Sequence, residues 1–459
     1  MVFTVFFLAR IIFKHTAYLE NHRQKASLLA SFLLAVSPWH IQFSRAAFEV
    51  NVAAAVTVLA VYSFLKGLTE NRYFILSALF FGITLFSYHS ARVVSPLLFL
   101  SLFILFNNRL PGKKTVLSAL TVFAFFSIAV FPILASKDAQ IRFRATNIFK
   151  PAARYLDEKD LESEFLIKRI TDSKAGYTLD GKIFHNQRLV YLDYDTLKKA
   201  FKNYLSNFGF EYLFIKGDAP LHHAPDFGLF HIIEFPWLII GIIILLLKGV
   251  NPYSLFLFCW LLIAPIPNAV TREAPHSVRT LLLLPVYQVL SAVGLTFLYK
   301  LASKQKYWVY FSSVVLVSGL FLINHSYYLH QYFVHTDYDV ASNWKYGRQQ
   351  AVRITESLKD KYDAVYVSLN VDMPYIFWLF YSRYPPEKYL RQGGTVSGGF
   401  ADERNRFDKY LFQNFSYRLL PVTGRLLLVG TPLDFPPDAD IINTIYNPDG
   451  SIALLIAEI

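Results

Sequence analysis

Ten long apolar runs restrict most of this 459-residue chain to one kind of solvent. They cover residues 2–13, 26–41, 50–65, 73–88, 93–106, 115–135, 229–247, 253–266, 280–299 and 307–323. A helix that crosses a bilayer needs roughly 20 mostly apolar residues. Backbone in hydrocarbon must also satisfy its own hydrogen bonds, so runs of this length predict membrane helices. Composition agrees: 54% of the residues are hydrophobic, against about 45–50% in soluble domains. The expected fold is an α-helical polytopic membrane protein of about ten spans, with 43 Phe and 29 Tyr available for interfacial belts.

Charge supplies the topology. The net charge is +12, yet residues 325–459 hold 13 Lys and Arg against 15 Asp and Glu, so the surplus lies in the membrane part. That distribution argues against a nucleic-acid partner. Alternate short connections are basic: Lys14, Arg23 and Lys25; Lys66 and Arg72; Arg109, Lys113 and Lys114; Lys248; Lys300, Lys304 and Lys306. The positive-inside rule makes that side cytoplasmic. The opposite short loops carry Arg45, Arg92, Arg272 and Arg279 and no Lys. Two long segments share this outer side, a loop over 136–228 and a soluble α/β domain over 329–459, leaving 1–328 as the transmembrane domain. The expected location is the cytoplasmic (inner) membrane, with both long segments extracytoplasmic. Cys259 is the one cysteine, so no intrachain disulfide forms.

The first run is short. Twelve residues of helix cover about 18 Å of a hydrocarbon core of about 30 Å. Met1 is therefore expected to fall within a helix, with a further segment upstream. In the outer loop, HNQRLVYLDYDTLKKAFKNYLSNFG predicts a strand or turn followed by an amphipathic helix, and LFIKGDAPLHHAPDFG a Pro/Gly-punctuated loop. In the tail, 343–362 has helical periodicity and AVYVSL at 364–369 is a strand. LLLVG at 426–430 is another, and 441–446 and 451–457 form a hairpin around Asn-Pro-Asp-Gly. No Gly-rich phosphate loop, CxxC pair or GxSxG elbow occurs in the tail, which reads as a packing or docking domain.

Polar residues gather at the outer ends of the runs. SPWHIQFSRAAFEVN at 37–51 sets an aromatic, a His, an Arg and a Glu between two apolar runs. Charge at the bilayer edge is costly and usually has a partner or a task. A helix starting near Ser44 would put Arg45 and Glu49 on one face. PIPNAVTREAPHSVR at 265–279 gathers Arg272, Glu273, His276 and Arg279, and its three prolines forbid a regular helix. A helix beginning near Pro275 would set its positive end beside Arg279, another anion-friendly element. SYHSARVVSP holds His89 and Arg92. Arg clamps phosphate through a planar fork, so four outer Arg predict an anion site. Glu49 is suited to act as a base toward an acceptor hydroxyl or to pair with Arg45. His222 and His223 are adjacent and diverge, so a metal would need a further ligand such as Asp226. No convincing ligand set stands out; no cofactor is assigned, and a divalent metal is left open.

In this order, PWHIQFSRAAFE, SYHSARVVSPLL and PIPNAVTREAPHSVRTLLLLP, with VFTVFFLARIIF upstream, resemble the GT-C membrane glycosyltransferases. The closer resemblance is to their protein mannosyltransferase and aminoarabinose transferase-like superfamily, over about residues 1–325. The resemblance implies inverting transfer of a sugar from a polyprenyl-phosphate donor to a protein, lipid or glycan acceptor on the outer side of the membrane. It implies that Arg272 and Arg279 hold the lipid phosphate. Glu49 would be the second of two carboxylates, the first lying in an outer loop upstream. Arg45, His89, Arg92, Glu273 and His276 complete the expected substrate-binding set. The competing reading is a transporter or flippase of an anionic lipid-linked substrate. It would need polar residues through the midplane and usually internal repeats, and neither is evident. A membrane-anchored interaction module led by the tail would leave the outer Arg unexplained.

Overall fold

The computed structural model describes residues 1–16, 18–136, 146–148, 188–248, 250–395, 406–420 and 424–459, with backbone alone for 188–195. The chain forms two compact units, Met1–Leu329 and His330–Ile459. The boundary lies one residue beyond the expected one.

A helix occupies each of the ten apolar runs. In chain order they are α1 (Val2–Lys14), α2 (Arg23–Val36) continued by α3 (Pro38–Arg45), α4 (Glu49–Gly67), α5 (Asn71–Ser87), α6 (Ala91–Leu105) and α7 (Lys113–Ala135). An amphipathic helix α8 (Arg188–Ser206) follows in the long loop after α7, then α9 (Glu234–Lys248), α10 (Pro252–Ala269), α11 (Ser277–Ala302) and α12 (Tyr307–His330). Among the described residues, five helices are long and apolar enough to cross a membrane, or six if the bent α2–α3 pair is one span. Phe125, Ile128 and Phe131 on α7 and Trp308 and Ile323 on α12 are all at least 66% exposed. Apolar rows of that extent require lipid around them. The chain is a multi-pass membrane protein.

Three local expectations are corrected. The run 26–41 is broken by 53° at Ser37, because Pro38 forces the preceding residue into an extended conformation (ψ 127°). Helix α8 is continuous from Arg188, so no strand precedes it within the described residues; most of the loop, 137–145 and 149–187, lies outside them. Run 229–247 becomes helical only at Glu234. Its first residues are held in a loop by polar contacts. His231 Nδ1 lies 3.0 Å from Glu234 Oε1, and His231 Nε2 lies 3.1 Å from His325 Nδ1 on α12.

Helices α9 and α11 pack backbone to backbone. A Cβ on Gly241 would overlap the carbonyl of Leu290, and one on Gly294 would overlap the carbonyl of Trp237. Lipid supplies no hydrophobic drive between helices, so close approach at small residues has to provide the attraction. α10 begins with a reciprocal cap in which Asn251 Oδ1 accepts from the backbone N–H of Tyr253 (2.9 Å) and of Ser254 (3.1 Å).

The C-terminal unit has helices α13 (Arg348–Leu358), α14 (Pro374–Tyr381) and α15 (Pro386–Arg391) and a six-stranded sheet. Its strands are β1 (Ala364–Val367), β2 (Arg406–Phe407), β3 (Tyr410–Phe412), β4 (Leu426–Gly430), β5 (Ile441–Tyr446) and β6 (Ile452–Glu458), in the order β2-β3-β1-β4-β6-β5. β1 runs parallel to β3 and β4, while β5 and β6 form the expected antiparallel hairpin. The β4 run was legible because it is buried along its whole length. The expected helix over 343–362 shortens to α13.

Replacing Gly294 with Leu should force α9 and α11 apart and destabilise the folded protein by about 1–3 kcal/mol or more. Thermal unfolding in detergent reads the loss. Gly319→Ala, inside α12 and with nothing within 4 Å of the new methyl, should not lower the midpoint and by helix propensity should hold or raise it slightly.

Candidate functional site

The structure gathers one polar group around the start of α11. His276 is the N-cap residue of this helix and contributes no capping side chain. The anion at the N-terminus is Asp218, from the loop between α8 and α9. Asp218 Oδ2 accepts from the Ser277 N–H at 2.8 Å and Asp218 Oδ1 from Ser277 Oγ at 2.9 Å. A carboxylate there meets the positive helix end and satisfies an otherwise orphaned donor. The positive helix end, expected beside Arg279 as a second anion-friendly element, is taken up by Asp218, with Arg279 inside the first turn.

Asp218 also lies 2.8 Å from His222 Nδ1 and 3.8 Å from His276 Nδ1, and its side chain is only 8% exposed. Burial works against its charge, but the bonds from His222 and Ser277 outweigh it and hold the carboxyl below its usual range. Burial, reinforced by the nearby Arg279 charge, pushes His276 down to about 4. His276 is thus a neutral imidazole, and its buried Nδ1 has no hydrogen-bond partner.

Arg279 lies beside His276, and both reach the Glu273 carboxylate. Its Nη1 donates to Thr271 Oγ1 (3.0 Å) and to the Glu273 carbonyl (2.9 Å), and Nη2 to Glu273 Oε2 (3.2 Å). The Arg279 side chain is 17% exposed and that of Glu273 74%, so the carboxylate can swing away while the guanidinium stays. Arg272 turns toward another segment. Its backbone N–H donates to the Thr146 carbonyl at 2.9 Å, and its Nε to the Asn147 carbonyl at 2.9 Å. These bonds pair residues 146–148 with the irregular stretch after α10. Asn203 of α8 steadies that stretch by donating to the Thr271 carbonyl at 2.7 Å.

The stretch 37–51 reaches the group through its aromatic residues. Phe43 and Phe48 pack on the His222 ring at 5.9 and 6.0 Å. Gln42 Nε2 donates to the Leu221 carbonyl at 2.6 Å, and the Trp39 N–H to the Leu229 carbonyl at 3.1 Å. The expected Arg45–Glu49 helix face does not form: α3 ends at Arg45, α4 starts at Glu49, and Ala47 between them has φ 54°. Both side chains are exposed on this turn. His89 and Arg92 bond each other, Nη1 to Nδ1 at 3.1 Å, with Arg92 Nε donating to the Leu85 carbonyl at 3.0 Å.

One ligand atom from each of Asp218, His222 and His276 lies within 4.8 Å of the others, a set that can hold a divalent cation. Two imidazoles and a carboxylate leave a fourth position for water, the arrangement of open zinc sites, and the orphaned His276 Nδ1 suits it. Asp226, the third ligand suggested by sequence, is exposed, and His223 Nδ1 bonds its neighbour's carbonyl, Ala224 O, at 2.8 Å. The missed ligand was Asp218. Its signal was the Asp-x-x-x-His spacing to His222, in a segment where no helix was expected. Zn²⁺ added at about 100 times its Kd should stabilise the protein by about 2.7 kcal/mol. The rise in thermal midpoint should vanish in His222→Ala and His276→Ala; an equal rise in both would remove the metal from this site.

No protein-family model and no curated protein matches the sequence. Among solved structures, the Archaeoglobus fulgidus oligosaccharyltransferase, tethered with an acceptor peptide containing the NVT sequon, aligns with a TM-score of 0.41 at 12% identity, over 82% of this chain and 50% of that one. ArnT from Cupriavidus metallidurans bound to undecaprenyl phosphate aligns with a TM-score of 0.45 at 12% identity, over 99% of this chain and 82% of that one. The chain thus spans half the length of the first. Both structural neighbours are GT-C glycosyltransferases, the class that the sequence motifs resemble.

Proposed function

We propose that this protein transfers a sugar, with inversion, from a polyprenyl-phosphate-linked donor to an acceptor on the outer side of the cytoplasmic membrane. The observation that carries this reading is the position of Arg279: a half-buried guanidinium in the first turn of the apolar helix α11, held by Thr271 and an exposed Glu273. Such a donor has an apolar tail and a charged head. It needs hydrocarbon and a cation within one turn of helix, and the start of α11 offers both. The undecaprenyl phosphate held by ArnT is the class of lipid meant.

In the proposed step the acceptor oxygen forms a bond to the anomeric carbon as the bond to the donor phosphate oxygen breaks. The electron pair leaves with the phosphate, and Arg279, having exchanged Glu273 for the lipid, stabilises the charge that develops there. Glu49, exposed at the head of α4, takes the acceptor proton. Arg45, on the same turn, and the His89–Arg92 pair at the head of α6 bind the remaining polar groups of the substrates, with Arg272 and His276 shaping the phosphate side. Asp218, His222 and His276 would hold a divalent cation, whose chemistry is to screen phosphate charge. Their established bonds already fix the loop against α11.

Arg279→Ala should weaken binding of polyprenyl phosphate by about 10–100-fold, the loss of a charge-assisted hydrogen bond worth about 1.5–3 kcal/mol. Arg279→Lys should restore only part of it, because the planar fork is lost. Unchanged binding in Arg279→Ala, read by lipid titration in detergent, would sink this role. Glu49→Gln should lower turnover while leaving donor binding within about twofold, since the proton is taken in the transition state. Proteoliposomes loaded with lipid-linked sugar decide the reaction class: movement of the lipid with its sugar bond intact supports the flippase reading instead.

A further inference from the structure

The C-terminal unit carries an apolar face with a basic rim that its own core does not use. Helix α14 reads PYIFWLFY. Its inner side is buried, with Trp378 Nε1 donating to Thr355 Oγ1 at 3.2 Å. Its outer side is equally apolar. Met373 is 43% exposed, Ile376 45% and Phe380 72%, and their spacing of three and four residues puts them in one row. Leu390 on α15 adds a side chain that is 70% exposed. Between the two helices lies a cleft of about 590 Å³ lined by Tyr375, Leu379, Phe380, Tyr384 and Tyr389, with Arg383 at its edge. Lys388 and Arg391 continue the basic edge along α15, and Glu387 offsets one charge by pairing with Arg391 at 3.3 Å.

The lining decides what this face suits. The Tyr384 hydroxyl donates to Gln392 Oε1 at 3.1 Å, and those of Tyr389 and Thr395 bond each other at 3.1 Å. A sugar in the cleft would bury hydroxyls against carbon, at a cost of a few kcal/mol per unpaired group. Acyl chains have no such groups. Exposed aromatic and aliphatic side chains flanked by Arg and Lys match the boundary between acyl chains and anionic headgroups. The unit also follows directly in sequence on α12, a 24-residue apolar helix, which keeps a bilayer at high effective concentration.

We propose that this face docks on the membrane surface. Met373, Ile376, Phe380 and Leu390 enter the headgroup boundary of a bilayer containing anionic phospholipid, and Arg383, Lys388 and Arg391 meet the lipid phosphates. The proposal stands apart from the sugar-transfer reading, because none of these residues belongs to the group around α11.

The test uses the full chain in nanodiscs of phosphatidylglycerol and phosphatidylcholine, in a Cys259→Ser background. Nitroxide labels go on Phe380→Cys and, as a reference on the hairpin turn, on Asp449→Cys. Power saturation should show the label at 380 several-fold more accessible to oxygen than to a water-soluble nickel chelate, and the label at 449 the reverse. Joint replacement R383E, K388E and R391E, or omission of phosphatidylglycerol, should return the label at 380 to water without changing the spectrum at 449. Nickel access at 380 equal to that at 449 would overturn the proposal. So would shielding at 380 from both reagents with spin–spin broadening between labels, which would mean that a second copy covers the face.

Discussion

The contact between Asp218 and the start of α11 is the constraint on which the polar end of the helical unit depends. A carboxylate with 8% exposure is costly to desolvate. Here it is offset by two bonds to Ser277, the His222 imidazole and the positive end of a long helix. Every other arrangement at the site follows. With Asp218 fixed, the loop delivers His222 to Phe43 and Phe48, Leu221 to Gln42 and Leu229 to Trp39. With Ser277 fixed, His276 and Arg279 stand one turn apart beside the same Glu273 carboxylate.

Beneath this polar layer the helices are held by shape. Gly241 and Gly294 let α9 and α11 touch through their backbones, and the positions where their side chains would stand are filled by carbonyls. The irregular stretch between α10 and α11 sits where two such rigid elements end. Its backbone groups are met by Asn203 from α8 and by residues 146–148. Non-helical backbone at the edge of a membrane persists where protein supplies its hydrogen bonds. The division of labour is consistent: apolar contacts set the helices, and a few buried polar bonds set the loops that carry the chemistry.

How far the sequence could be read depended on the range of the forces involved. Apolar runs are local and long, so all ten helices and the strands β4, β5 and β6 were legible. The break at Ser37 was missed although Pro38 announces it, because the run continues apolar through it. Helix α14 was missed because PYIFWLFY is apolar on both sides and shows no period that separates a helix from a strand. Of the candidate site, Glu273, His276 and Arg279 do come together, as their closeness in sequence suggested. Arg272 turned to a different segment. Arg45 and Glu49 were parted by a left-handed Ala47 that no residue pattern marks.

The sequence by itself determined that this chain belongs in a membrane and where its apolar helices run, because hydrocarbon and water sort residues over stretches of about 20. Only the tertiary structure decided that Asp218, 59 residues before Ser277, closes its loop onto α11 beside two imidazoles. The reason is physical. A buried carboxylate takes whichever donors the packed helices place around it, and packing depends on contacts between segments that no local pattern encodes.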